Sequence, residues 1–452
     1  MGEMHGVGTE GNPGETTERE WFVTKDSYLL PEYAKLEKER LWPRVWQIAC
    51  REEELPRVGS YVTFEVAGES ILVIRTSKDV GGINAFYNVC QHRGRKLLEG
   101  CGETNNIYCR YHGWRWSLEG KIEHIQDRED WEGGLKDEEL HLKKPLVDTW
   151  GGFVWINMDN AAEPLHDYLQ PALGFLDPYE FEKMRYRWSK SFVLNCNWKV
   201  ALEGFNEGYH VAATHPQLLP YFDDMTRAVV HGKHAMFHYN ESKPYGQPSR
   251  RLNRPPLDDT RESVFKYMTM MDRELNAIIS DNMAKIAAPR LIKDLPPGTK
   301  DYDTLMGLMQ FTAEADIATG AGWPTITAEQ MAGAGTDWHL FPNAITLMLP
   351  DGAIWYRARP YGDDPDYCQF DVMSLQRFPP GQEPKVEREF YQDWRDCKQL
   401  GQILTQDFSN FEQVQAGMKS RGFVGSLTNP KQETPVSNYH RVLHEYLGRP
   451  VG

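Results

Sequence analysis

Positive charge, cysteine and long apolar runs are all scarce in this chain of 452 residues. Its 50 Lys and Arg stand against 65 Asp and Glu, giving a formal charge of −15 and a pI near 5.5. That balance excludes general nucleic-acid binding, which needs a basic face to neutralise phosphates. No apolar run approaches the roughly 20 residues of a membrane-spanning helix. The opening segment, MGEMHGVGTEGNPGETTERE, is Gly-rich and acidic and lacks the apolar core of a secretion signal. Residues 1–18 therefore read as a flexible leader, and the protein as soluble and cytoplasmic. Seven cysteines is an odd count. Of these, Cys50, Cys101, Cys196, Cys368 and Cys397 read as reduced thiols, mostly packed as small hydrophobes. There is no internal repeat, and no low-complexity tract beyond the leader. The length allows two or three domains.

The chemistry-bearing residues gather in two stretches. The first is Cys90-Gln91-His92, then sixteen residues, then Cys109-Arg110-Tyr111-His112. Each short finger offers one thiolate and one imidazole, and two such fingers can clamp one metal centre. In a Rieske 2Fe–2S centre, two Cys hold one iron and two His hold the other, which raises the reduction potential. A structural zinc site would instead group Cys with Cys and His with His. The order here is the Rieske order. Gly94, Gly100, Gly102 and Gly113 suit tight turns that aim backbone amides at a sulfide-rich anion. Arg93, Arg95, Lys96, Arg110 and Arg115 make the rim locally basic. They read either as solvated loop charges or as a docking patch for an acidic electron donor.

The second stretch runs from Asn197 to Pro216. Read as a helix from about 197 to 213, it puts Glu203, Glu207 and His210 on one face at i, i+4 and i+7. His215 stands just before Pro216, past the expected helix end. Non-haem Fe(II) oxygenases bind iron through two His and one carboxylate, leaving positions open for O₂ and substrate. The carboxylate must be brought in by the fold. Glu203, Asp223, Asp224, Asp393 and Asp407 are candidates. Asp407, flanked by Leu404, Phe408 and Phe411 in a helical stretch, best suits a buried ligand.

Four segments follow from the pattern: the leader, an N-terminal helical segment (19–45), a β-rich domain carrying both fingers as loops (46–160), and a larger domain (161–452). The fold class is α+β, a small antiparallel β domain beside strands wrapped on a long helix. Residues 315–337 read as a surface excursion or lid, and helical segments are expected through 385–416.

Together the two motifs resemble the catalytic alpha subunit of Rieske non-haem iron aromatic-ring-hydroxylating oxygenases, over roughly residues 45–415. The resemblance implies a Rieske domain and a helix-grip catalytic domain. It implies Cys90, His92, Cys109 and His112 as ligands of a 2Fe–2S cluster, and His210, His215 and Asp407 as ligands of a mononuclear Fe(II). Glu207 matches a carboxylate that hydrogen-bonds an iron His and, across a subunit boundary, a cluster His of the next protomer. The family position is usually Asp, so Glu207 carries one extra methylene. Asn206 and Glu203 are expected as polar groups near the iron. The partners implied are a ferredoxin or reductase fed by NAD(P)H, and other subunits in a homotrimer (α3) or an α3β3 assembly with a small β subunit. The reaction implied is O₂-dependent hydroxylation of an aromatic or other apolar substrate, cis-dihydroxylation first, with monohydroxylation or oxidative demethylation as the alternative. Phe205, Met309, Phe311, Phe341, Ile345 and Leu347 are the expected pocket lining. Arg357 and Arg359 read as ligands for a substrate carboxylate or, by strand alternation, as surface or inter-subunit charges. A pure electron carrier and a zinc-stabilised binding protein are the competing classes. The paired His and acids of 203–215 argue against the carrier.

Overall fold

A computed structural model of the chain describes residues 21–79 and 81–449. The expected leader, 1–18, lies outside them. The N-terminal segment is not one helix. Strand Phe22–Thr24 pairs with Gly425–Leu427, and a short helix, Asp26–Leu29, then leads into α1 (Pro31–Arg40). Pro31 starts α1 because its fixed φ and missing N–H suit a first helical turn.

The finger-bearing module is built from β1 (Ser60–Val66), β2 (Glu69–Arg75), β3 (Ile83–Tyr87) and β4 (Cys101–Glu103), in the order β3-β2-β1-β4. Along β1, buried residues alternate with more exposed ones, the period-two pattern of a strand with one packed face. A second small sheet, β5 (Ile107–Tyr108), β6 (Arg115–Trp116) and β7 (Ile122–His124), carries the second finger. Leu72, Ile74, Phe86, Ile107, Trp114 and Trp116 form a separate core around Cys90 and Cys109.

The larger module wraps an eight-stranded sheet around helices. Its strands are β8 (Arg185–Leu194), β9 (Arg227–His231), β10 (His234–His238), β11 (Asp337–Leu340), β12 (Ala344–Met348), β13 (Gly352–Pro360), β14 (Cys368–Gln376) and β15 (Glu389–Tyr391). They lie in the order β9-β10-β11-β12-β13-β14-β8-β15, every pairing antiparallel except β8 with β15. The helices that matter for the site are α2 (Trp198–Glu203), α3 (Val211–Thr214), α4 (Arg261–Glu274), α5 (Asp301–Thr319), α6 (Gln402–Met418) and α7 (Thr434–Leu447). Helix α6 buries Leu404, Asp407, Phe408 and Phe411 on one face. Phe408 meets Phe192 of β8 and Phe370 of β14, which seats the helix on the sheet.

Four local expectations need correcting. Within 385–416 the helical segments are Trp394–Asp396 and α6, but Glu389–Tyr391 is strand β15 rather than helix. Residues 315–319 finish α5, and a separate helix, Ala328–Ala334, follows an extended linker. Arg357 and Arg359 are not surface charges. Strand β13 is buried on both faces, so alternation exposes neither side chain. Both guanidiniums close on Asp371, and Arg357 donates to the carbonyls of Ile48 and Ala49 while lying over Phe64. They join the two modules. Lastly, 197–213 is broken after Glu203, with consequences for the site.

Candidate metal centres and the cavity beside the second

The two fingers share one hydrogen-bond pattern. In the first, Gly94 N–H donates to the Cys90 carbonyl and Cys90 N–H to the Arg95 carbonyl; in the second, Gly113 N–H donates to Cys109 and Cys109 N–H to Trp114. Gly94 and Gly113 both sit at φ +75°, a conformation that disfavours side chains, so each finger turns tightly directly after its His. The turns bring the His92 and His112 rings to 4.6 Å, with His92 stacked on Trp114 at 4.9 Å. Both thiols are buried. Burial raises the Cys90 thiol, and the His92 amide, aimed at its sulfur, works against that rise.

The donor set tests whether a cluster fits. Nδ1 of His92 and Nδ1 of His112 are both buried with no hydrogen-bond partner. Two orphaned nitrogens and two buried thiols, with backbone amides of His92 and Arg93 aimed at Cys90, match two His and two Cys around a 2Fe–2S unit. Around this site, Arg93, Lys96, Arg110 and Arg115 are exposed. Lys96 pairs with Glu65 at 2.9 Å and Arg115 approaches Glu123 at 3.6 Å, so part of the basic rim is neutralised.

The second centre is assembled by α3 and α6. Helix α3 is only four residues long and is bracketed by His210 and His215. Asp407 comes from the buried face of α6. One ligand atom from each of the three lies within 4.8 Å of the others. Nε2 of His215 is 2.9 Å from Asp407 Oδ1, and Nε2 of His210 is 3.7 Å from it. The far nitrogens are tied down. His210 Nδ1 donates to Glu207 Oε1 at 2.7 Å, and His215 Nδ1 to Gln406 Oε1 at 2.9 Å. Each ring therefore holds a proton on Nδ1 and presents Nε2 toward Asp407, the nitrogen that a bound metal would take in place of a proton. Burial disfavours a proton on His210, yet Glu207 and then Asp407 outweigh it and raise the imidazole to about 9. The pocket is thus set to hold positive charge between the two rings, the condition a divalent iron meets.

Glu207 also explains the broken helix. Its Oε2 accepts the backbone N–H groups of Tyr209 and His210, bonds that compete with helical ones. Gly204 and Gly208 lie so close to Phe411 and Thr226 that a Cβ at either would clash. With α2 ending at Glu203, the expected shared face is lost. Glu203 turns away and accepts from Tyr28 (2.8 Å) and His440 (2.7 Å). It is not a polar group at the metal. Asn206 is buried but does not line the cavity. Asp223 and Asp224 are engaged by Arg250 and Arg251, and Asp393 by Arg395.

His210, His215 and Asp407 open onto a cavity of about 440 Å³ walled by Met, Leu, Tyr and Phe side chains. Of the expected lining, Phe205, Met309 and Leu347 are there. Phe311, Phe341 and Ile345 are not: Arg290 stacks on Phe311, Phe341 packs on Tyr439 and Tyr446, and Ile345 is fully buried core. Sequence reasoning missed Gln406, Asp337, Tyr239, Tyr245 and Tyr267. Only Gln406 had a signal, its position next to Asp407.

Two metal centres of these kinds, one sulfur-bridged and one mononuclear, define a class of iron proteins, and comparison with known proteins places the chain within it. The Rieske 2Fe–2S domain matches residues 45–137, and the ring-hydroxylating alpha subunit catalytic domain matches 181–449. The chain belongs to the family of ring-hydroxylating oxygenase alpha subunits and holds a Rieske cluster and a mononuclear iron. It is 32% identical over 209 residues to the carnitine monooxygenase oxygenase subunit of Escherichia coli K12, covering 45% of this chain and 54% of that one. It is 32% identical over 196 residues to the glycine betaine monooxygenase oxygenase subunit of Chromohalobacter salexigens, covering 42% of each. The anthranilate 1,2-dioxygenase large subunit of Acinetobacter baylyi is 28% identical over 202 residues, covering 43% of this chain and 42% of that one. The matches thus span about half the length of these relatives. Among solved structures, the quaternary ammonium Rieske monooxygenase CntA with L-carnitine superposes with a TM-score of 0.63 at 19% identity, covering 94% of this chain and 95% of that one. Naphthalene 1,2-dioxygenase with indole gives 0.64 at 17%, covering 94% and 92%. At these identities the likeness is one of fold. No helix among the described residues is long and apolar enough to cross a membrane.

Proposed function

We propose that this chain is the terminal oxygenase component of a multicomponent Rieske oxygenase, hydroxylating a small molecule held in the cavity beside His210, His215 and Asp407. The observation that carries this reading is the pair of Nε2 atoms converging on Asp407 at the wall of an apolar cavity. Cys90, His92, Cys109 and His112 hold the cluster, and His210, His215 and Asp407 hold the iron. When bound, these groups supply single electrons and the activation of O₂. Glu207 and Gln406 fix both iron imidazoles in one tautomer. The Met- and aromatic-rich wall excludes water and grips the substrate. Glu207 Oε1 keeps acceptor capacity beyond its bond to His210. In a trimer it would accept a hydrogen bond from the ring N–H of a cluster His of the neighbouring chain, which would give electrons a short path. The extra methylene of Glu over Asp is absorbed by its two backbone bonds within the loop.

The donor is a ferredoxin or reductase fed by NAD(P)H, meeting the exposed Arg93 and Arg110. Monooxygenation is the reaction that the carnitine and glycine betaine relatives support: one oxygen atom enters a C–H bond and the other leaves as water, with two electrons and two protons consumed. Arene cis-dihydroxylation is the second reading, favoured by the aromatic content of the cavity wall. The test is product identification under ¹⁸O₂ with a surrogate reductase and a panel of alkylammonium compounds and arenes. One labelled oxygen in the product supports monooxygenation and two support dihydroxylation. Dealkylated products are scored by the amine and aldehyde formed, because an aldehyde exchanges its oxygen with water. No hydroxylated or dealkylated product and no substrate-dependent O₂ uptake with any compound overturns the oxygenase reading.

A further inference from the structure

The cavity contains a carboxyl group that neither the metal centre nor the fold employs. Asp337 opens strand β11 in the cavity wall and is 1% exposed. Among the described residues, it is the one carboxyl with both oxygens buried and unpartnered. Its cross-strand neighbours Phe237 and Leu347 line the same cavity. Other buried carboxylates have partners: Asp371 takes Arg357 and Arg359, and Asp224 takes Arg251 and Ser249. An unanswered buried polar group is destabilising, so its presence in a binding cavity points to a partner that arrives with the ligand.

The charge of the cavity agrees. Its described lining includes Glu207, Asp337 and Asp407 but no Lys or Arg. A substrate carboxylate finds no counter-ion there, and a hydrocarbon leaves Asp337 unanswered. The aromatic wall favours the opposite charge. Phe222, Tyr239, Tyr245 and Tyr267 all line the cavity and touch one another. Tyr239 meets Phe222 at 4.6 Å and 71°, and Tyr245 meets Tyr267 at 5.3 Å and 79°, so ring faces stand nearly square to one another. Such corners attract cations through the negative ring faces. Burial, reinforced by Glu207, pushes the Asp337 carboxyl well above the ordinary carboxylate range. A cation beside it would favour the ionised form that burial opposes.

We propose that Asp337 determines substrate class, pairing with the positively charged nitrogen of an organic cation seated among Tyr239, Tyr245 and Tyr267. This rests on the oxygenase reading for placing the substrate in this cavity, and narrows it to ammonium compounds.

The test is calorimetric binding to the fully metal-loaded protein of two isosteres, benzyltrimethylammonium and neutral neopentylbenzene, with phenylacetate as the anion. Wild type binds the cation roughly tenfold more tightly than the neutral isostere, and phenylacetate most weakly. Asp337→Asn weakens the cation alone and brings the two isosteres to within about twofold, while the charge-retaining Asp337→Glu keeps a cation preference. A wild-type preference for the neutral isostere or the anion overturns the proposal. An Asp337→Asn protein that keeps the full cation preference does so as well. The wild-type comparison stands without any variant folding. Binding is read without turnover, so its failure leaves the oxygenase reading intact. Cation preference without any hydroxylated or dealkylated product counts against that reading alone.

Discussion

Replacing Gln406 with Ala removes the acceptor that orients His215. Gln406 Oε1 takes the His215 Nδ1–H at 2.9 Å and is itself held by Gln217 Nε2 at 2.8 Å. The His215 side chain is 4% exposed, so water replaces the lost acceptor poorly. An outer hydrogen bond of this kind is worth about 1.4–2.8 kcal/mol, or roughly 10–100-fold in metal affinity. The assay is competition for iron against a chelator, followed alongside the visible absorption of the cluster, which lies in the other module. Gln406→Ala should weaken iron by that factor with the cluster unchanged, and Gln406→Glu, which keeps an acceptor, should restore it. Asn410→Ala is the control: it is on the same helix but exposed, its side chain bonded to Thr214 at 3.1 Å, and should stay within about twofold of wild type. Wild-type iron affinity in Gln406→Ala, or equal losses in the Ala and Glu variants, would refute the argument.

Asp407→Ala should lose the mononuclear iron while keeping the cluster spectrum; iron retained there, measured by metal analysis, would require another carboxylate. Glu207→Ala should keep the cluster spectrum and weaken iron by a similar factor of roughly 10–100, because it frees His210 Nδ1. Once saturated with iron, it should nearly abolish product formation coupled to NAD(P)H; normal turnover of the iron-saturated variant would remove the bridge assignment. Acid should destabilise the fold through two buried histidines. Burial lowers His234 to about 3 and His339 to about 4. The Nδ1 of His234 accepts the Phe341 N–H at 3.1 Å, so a proton there displaces that bond. Because the unfolded chain protonates first, near 6.5, stability is full above that pH and falls as pH drops toward the folded values. By pH 5 the loss is about 2 kcal/mol per histidine. Denaturant titrations at pH 7 and 5 should show this slope reduced in His234→Gln; an unchanged slope would refute it.

The fingers were legible because everything that defines them is local: Cys90, His92, Gly94 and Cys109, His112, Gly113 each lie within five residues. His210 and His215 were legible for the same reason. Glu203 was misread because i, i+4, i+7 spacing presumes an unbroken helix, and only the fold shows Gly204 pressed on Phe411 and Glu207 capping the next turn. Arg357 and Arg359 were misread because alternation presumes one solvated sheet face. Phe311, Phe341 and Ile345 have the composition of a pocket but face the core, a distinction carried by strand register and helix rotation rather than residue type. Asp337 is an ordinary acid in sequence. Its isolation appears only once Phe237 and Leu347 pair on either side of it.

The central claim is that one chain carries a paired-iron electron store and a separate lone iron held by His210, His215 and Asp407. Iron determined per chain, together with the visible spectrum, tests it most directly. Wild type should be coloured and contain about three irons per chain, and Asp407→Ala about two with the same spectrum. A colourless protein, or a coloured one whose wild type already stops at two, would contradict the account.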